Sequence, residues 1–171
     1  MKRKLTLAIL ILFAFILQGT VFQSLSIASI SPNLLLILTV VFGFMRGKKE
    51  GMFVGFFSGI LIDIFYGNLF GFYALVYMYL GYFNGFLYKI FFDEDLKVPM
   101  ALVTVSDIAY GLVIYGLQFM LRGRIDVFNY VQHIIIPEMV YTVLITGISY
   151  RMLYRLNRWL MSSEWEGPRL P

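Results

Sequence analysis

Six near-continuous apolar stretches run along the chain, at 5–22, 30–45, 51–66, 71–92, 98–121 and 137–158, and the charged residues collect in the short segments between them. A helix needs about 20 such residues to cross a bilayer core, so the pattern predicts six transmembrane helices. The second and third are short and call for packing inside a bundle or local thinning of the lipid. Pro32, Pro99 and Pro137 each stand near the start of a stretch, where a missing N–H costs nothing and a fixed φ suits helix entry. Between the fifth and sixth stretches Val127, Tyr130, Val131 and Ile134 recur at helical spacing, with Asp126, Asn129 and Gln132 opposite. That is the pattern of a short helix, 126–133, lying in the outer interface.

Composition agrees with lipid as the main solvent. Of 171 residues, 60% are hydrophobic and 14% charged, with a mean hydropathy of +0.78, well outside the range of soluble domains. The start, MKRKLTLAILILFAFILQG, has the basic and apolar regions of a secretory signal, and Ser26, Ile27 and Ala28 offer a weak cleavage pattern. Apolar character resumes at Val21 and Phe22 and further stretches follow, so a retained first helix is expected. All but Arg122 and Arg124 of the fourteen Lys and Arg fall near the termini or on alternate connections. By the positive-inside rule both termini are then cytoplasmic. The expectation is one integral-membrane domain, 1–171, closing in a cytoplasmic tail, 159–171. The net charge of +4 is dispersed in short clusters, which argues against a nucleic-acid partner. With no cysteine, disulfides, a thiol nucleophile and Cys-based metal sites are excluded.

Within this pattern Gly47, Gly51, Gly55, Gly59, Gly67 and Gly71 fall on one count of four, and Asp63 takes the remaining slot. Helices in lipid associate through van der Waals contact, which small residues allow at close range. Gly51, Gly55 and Gly59 therefore predict a packing ridge on the third helix, and Gly81 and Gly85 repeat the device on the fourth. Gly67 and Gly71 bracket an outer turn in which Asn68 tolerates left-handed φ. Carboxylates inside a membrane are costly and should face protein, water or the interface. Asp63 reads equally as a structural hydrogen-bond acceptor holding the outer turn and as a functional group. Asp107, about 12 Å along its helix from Pro99, reads as functional or as a polar anchor to Ser106, Tyr110 or Thr104 of a neighbour. Glu138, directly after Pro137, reads as an acid capping the first turn of the last helix.

Catalytic patterns fail. Neither Asp63 nor Asp107 has the GxGD context of intramembrane aspartyl proteases. GFFSG around Ser58 is one residue too long for a rhomboid-like GxSG, and the only histidine, His133, sits in the interfacial stretch. No Walker loop or HExxH cluster occurs. An enzyme is not expected, nor a cofactor. Phe70, Phe128 and Tyr130 instead combine with few charges at the outer side, as interface cores do, and form a candidate partner-binding surface.

Residues 31–85 resemble the rod shape-determining protein MreD family. The match is carried by Pro32-Asn33 ahead of a leucine run, Arg46-Gly47 at the inner turn, Gly51, Gly55, Gly59, Asp63, Gly67 and Gly71 with Ala74-Leu75, then Gly81-Tyr82 and Gly85. Family members often carry Asp where Asn33 stands. The resemblance implies a non-enzymatic, multi-pass subunit of the bacterial inner membrane that serves the cell-elongation machinery. It would bind MreC and work with a SEDS glycosyltransferase, a class B penicillin-binding protein and MreB in lateral peptidoglycan synthesis. Contact with membrane lipid and homo-oligomerisation are compatible with it. The six-helix fold is similar to that of the substrate-binding S-components of energy-coupling-factor transporters, so a vitamin-type small-molecule binder is the rival reading. The AxxxA partner contact of such subunits is missing from the first helix, where Ala8 and Ala14 are six apart.

Overall fold

A computed structural model describes residues 2–21, 31–67, 69–89, 96–122 and 127–165. Among them the regular structure is helical throughout: α1 (Lys2–Gly19), α2 (Leu34–Arg46), α3 (Lys48–Tyr66), α4 (Phe72–Phe86), α5 (Lys97–Arg122), α6 (Val127–Tyr130) and α7 (Ile136–Trp165). A 3-10 turn, Leu87–Lys89, follows α4, and a π turn, Val131–Ile135, joins α6 to α7. The expectations placed on 23–29, Asn68, 90–95, Arg124, Asp126 and 166–171 lie outside the described residues.

The shortness of α2 follows from where it sits. Every residue from Leu34 to Met45 is buried, and α1, α3, α4, α5 and α7 all pack against it. A helix apolar all round is a core helix, and 13 residues span only about 20 Å at 1.5 Å each. By length and apolarity, the helices over Lys97–Leu117 and Phe128–Ser162 suffice to cross a membrane, while Lys4–Gly19 and Leu34–Arg46 are apolar but shorter.

Around α2 the tightest contact is between α3 and α4. A methyl carbon built on Gly51 would collide with the Gly81 carbonyl, one on Gly55 with the Tyr77 carbonyl, and one on Gly59 with the Ala74 backbone. From the other side Gly81 meets Gly51 and Gly85 meets Lys48. The partner numbers fall as the α3 numbers rise, so the two helices run antiparallel with their backbones in contact along the whole pair. Between them Gly71 adopts φ +92°, a left-handed turn residue with open space around it, so its glycine is required by conformation rather than packing.

α7 departs from the expected pattern. The chain does not begin a new helix at Pro137 after a separate interfacial one; α6, the π turn and α7 form one helical run from Val127 to Trp165. Pro137 has no N–H to return to His133. The turn ahead of it widens so that the Ile136 N–H reaches the Val131 carbonyl, five residues back, and the bulge carries the helix past the proline.

The outward faces are apolar. Ile148 is 76% exposed, and Val105, Leu144 and Met152 are exposed with it. On α1 Leu7, Ile11 and Ala14 make a buried stripe while Leu5, Ile9, Phe13 and Ile16 face outward. Apolar surface on this scale would drive aggregation in water and is the ordinary exterior of a protein in lipid.

The backbone contact predicts a ranking for glycine substitutions. Gly55→Ala and Gly59→Ala should each cost about 1–3 kcal/mol through overpacking. Gly116→Ala, on a helix with nothing near the added methyl, should be neutral or stabilising by up to ~1 kcal/mol. Thermal melting in detergent ranks them, and equal melting temperatures for all three would show that the ridge does not carry the packing.

Candidate functional site

The interior polar residues gather where α4, α5 and α7 meet α2. Asn33 caps α2, its Oδ1 accepting the Leu36 N–H at 3.1 Å. The same oxygen accepts the Tyr77 hydroxyl at 2.8 Å, and the Asn33 N–H donates to Thr142 Oγ1 at 3.2 Å. One side chain thus ties α2 to α4, and its peptide ties α2 to α7. Tyr77 is fully buried, and its ring meets Tyr110 of α5 edge-on at 5.4 Å. Because only Oδ1 acts as acceptor in these contacts, an aspartate at this position could make the same two bonds.

Asp107 faces this cluster from α5. It is 3% exposed, and neither carboxylate oxygen has a hydrogen-bond partner. Two of the anchors expected for it from sequence are engaged elsewhere: Ser106 accepts from Asn84 Nδ2 at 2.8 Å, and the Thr104 hydroxyl donates to the Met100 carbonyl at 2.8 Å. Thr142 lies beside Asp107 without reaching hydrogen-bond geometry. Glu138, half-buried, lies within electrostatic reach of Asp107. The capping role expected for Glu138 does not hold, because the preceding residues 127–136 are already helical and leave no free helix start at Pro137 for a dipole to act from.

Asp63 has a defined task. It is 4% exposed, and its two oxygens accept the N–H groups of Tyr73 at 3.0 Å and Ala74 at 2.8 Å. These are first-turn donors of α4, orphaned in any helix start. Gly71, the residue in the cap position, makes no side-chain cap bond. The carboxylate of α3 therefore caps α4 across the turn, where the positive end of the helix also favours an anion.

Asp63 and the α3–α4 turn lie at one end of the bundle, with α6 and the N-terminus of α2. There Phe70 and Phe128 are 79% and 74% exposed. Tyr130 is not part of that surface to the same degree: it is half-buried with its ring 4.6 Å from Tyr115. His133 is exposed, with Nδ1 3.0 Å from the Asn129 carbonyl of the preceding turn. At the opposite end Arg46 bonds Asn157 of α7 through both its side-chain and main-chain oxygens, a link with no motif to announce it in the sequence.

Helices with apolar exteriors and hydrogen-bonded polar residues held inside define an all-helical membrane protein. Over residues 1–160 the chain matches the family of the rod shape-determining protein MreD. It belongs to that family and is a membrane protein that determines rod shape. No curated protein and no solved structure matches it.

Two carboxylates should then respond oppositely to removal. Asp63→Ala orphans two first-turn N–H groups and should cost about 3 kcal/mol, with Asp63→Asn costing less because one acceptor oxygen remains. Denaturation in detergent measures both, and an unaltered Asp63→Ala would remove the capping assignment. Asp107→Leu takes a buried, unpartnered carboxylate out of the interior and should leave stability equal or higher. Loss of rod shape in cells carrying a stable Asp107→Leu chain would make that carboxylate functional. A melting temperature several degrees lower would instead mean that Asp107 has a structural partner.

Proposed function

We propose that the chain is a non-enzymatic subunit of the bacterial cell-elongation complex that holds MreC at its outer end. Its membership of the MreD family is the observation that carries this reading. In it the chain is a single inner-membrane domain crossing the bilayer six times, in an arrangement like that of energy-coupling-factor S-components, with both termini cytoplasmic. The basic residues favour this orientation: Arg46, Lys48 and Lys49 share one end of the bundle with Arg151, Arg155 and Arg158, and the α3–α4 turn and α6 lie at the other. Through MreC it serves lateral peptidoglycan synthesis by a SEDS glycosyltransferase and a class B penicillin-binding protein along MreB filaments.

Phe70 and Phe128 are the docking residues in this reading, since large aromatics that stand clear of their own fold are what interface cores are made from. Phe70→Ala with Phe128→Ala should reduce capture of MreC at least ~10-fold while leaving the melting temperature unchanged. Tyr130→Ala, which empties the contact with Tyr115, should lower stability instead. Undiminished capture by the double variant would sink the docking surface, and specific vitamin binding by the parent would favour a substrate-binding subunit.

A further inference from the structure

At the end of the bundle that carries Arg46, a recess of about 240 Å³ opens between the start of α5 and the middle of α7, lined by Leu96, Tyr150, Arg151, Tyr154 and Arg155. We propose that this recess binds the phosphate of an anionic lipid headgroup.

Three features of its walls converge on that chemistry. Arg151 and Arg155 are one turn apart on α7, so both guanidinium groups flank the same opening, and paired guanidinium groups recognise phosphate oxygens through charge-assisted bonds. Leu96 is the residue from which α5 starts, its carbonyl taking the Met100 N–H at 3.2 Å. The start of a 26-residue helix, its positive end, therefore lies beside the same space. Tyr150 and Tyr154 form the third wall, stacked at 6.1 Å with their planes 28° apart. Tyr150 is buried, which fixes the floor.

The level along the bundle suits a lipid rather than a soluble anion. Trp159, 61% exposed, lies one to two turns beyond the recess, and tryptophan gathers at the headgroup level of membranes. Outside the recess the α7 surface is apolar at Ile148 and Met152, which leaves a path for acyl chains beside the headgroup. Asp93, Glu94 and Asp95 stand just ahead of Leu96 in the sequence and are the rival counter-charges for the two arginines.

The test uses the full chain, extracted in mild detergent and offered phosphatidylglycerol and phosphatidylcholine in equal amounts, with retained lipid read by native mass spectrometry. Both headgroups carry a phosphodiester, but the choline cation of phosphatidylcholine is repelled by the two arginines and offsets the phosphate charge, so the parent should prefer phosphatidylglycerol ~10-fold or more. Arg151→Gln with Arg155→Gln should abolish the preference, and Arg158→Gln, outside the recess, should keep it. Should the double variant not survive extraction, Arg155→Gln alone, on an exposed side chain, should weaken the preference. Displacement of the lipid by inorganic phosphate would make the phosphate group itself the recognised element, while resistance to displacement with the preference intact would assign the lipid-borne phosphate. A parent without preference overturns the proposal, as does a preference that survives the double substitution. A double variant that melts lower in both lipids beside an indifferent parent assigns the arginines to the acids instead.

Discussion

Contact between the backbones of α3 and α4 is the constraint on which the other helices rest. With no Cβ at Gly51, Gly55, Gly59, Gly81 or Gly85, the two helices lie closer than any side chain would permit. The hairpin then becomes one thick rod rather than two helices separated by a layer of side chains. Lipid gives no hydrophobic reward for bringing helices together, so this proximity and its dispersion energy are what hold the pair. Gly43 extends the same contact onto α2, where an added methyl would press on the Gly81 carbonyl. α2 is thereby set into the hairpin and buried from end to end, and the remaining helices pack around it.

The cap made by Asp63 depends on the same proximity. Its oxygens reach the α4 N–H groups only because Gly59 lets the start of α4 settle against α3 one turn below. A carboxylate in the fourth-residue series is therefore continuous with the glycines in purpose: they close the gap, and it neutralises the helix end that the gap brings near. A side chain at Gly59 would disturb both, since the contact it would break is with Ala74, whose N–H is one of the two that Asp63 accepts.

How much of this was legible depended on whether the signal was local. The count of four is periodic within one helix, so the ridge on α3 could be read before its partner was known, and Arg46-Gly47 with Asp63 carried the resemblance to the family the chain belongs to. Asp63 could be identified as a structural or a functional acid, but not which, because its donors lie ten and eleven residues on and their spacing follows no rule of a single helix. Asn33 was seen as part of a motif and its bonds to Tyr77 and Thr142 were not, since sequence separations of 44 and 109 leave no periodic trace. The error at Pro137 had a different origin. A proline after a polar stretch is a sound helix-start signal, and a π turn that lets the helix run through it has none that is comparably specific.

Steric and polar forces divide the molecule between them. Along the α3–α4 hairpin, apart from the Asp63 cap at its turn, contact is made by absent side chains, whereas the joints to α5 and α7 each rest on a hydrogen bond that involves a side chain. Asn84 reaches Ser106 across α4 and α5, Asn33 meets Thr142, and Arg46 meets Asn157. In lipid such bonds are worth about 1 kcal/mol each, less than a backbone collision costs. A groove of about 250 Å³ also opens between α4 and α5 beside the Asn84–Ser106 bond. Unpartnered Asp107 lies next to Ser106 on the same helix. The hairpin and α2 therefore form the rigid half, and the placement of α5 and α7 against them rests on a few exchangeable polar contacts. Local stability is lowest where such contacts replace packing, so a substitution in the glycine ridge acts on whether the bundle forms, and one at Asn84, Ser106 or Thr142 acts on how its second half is seated.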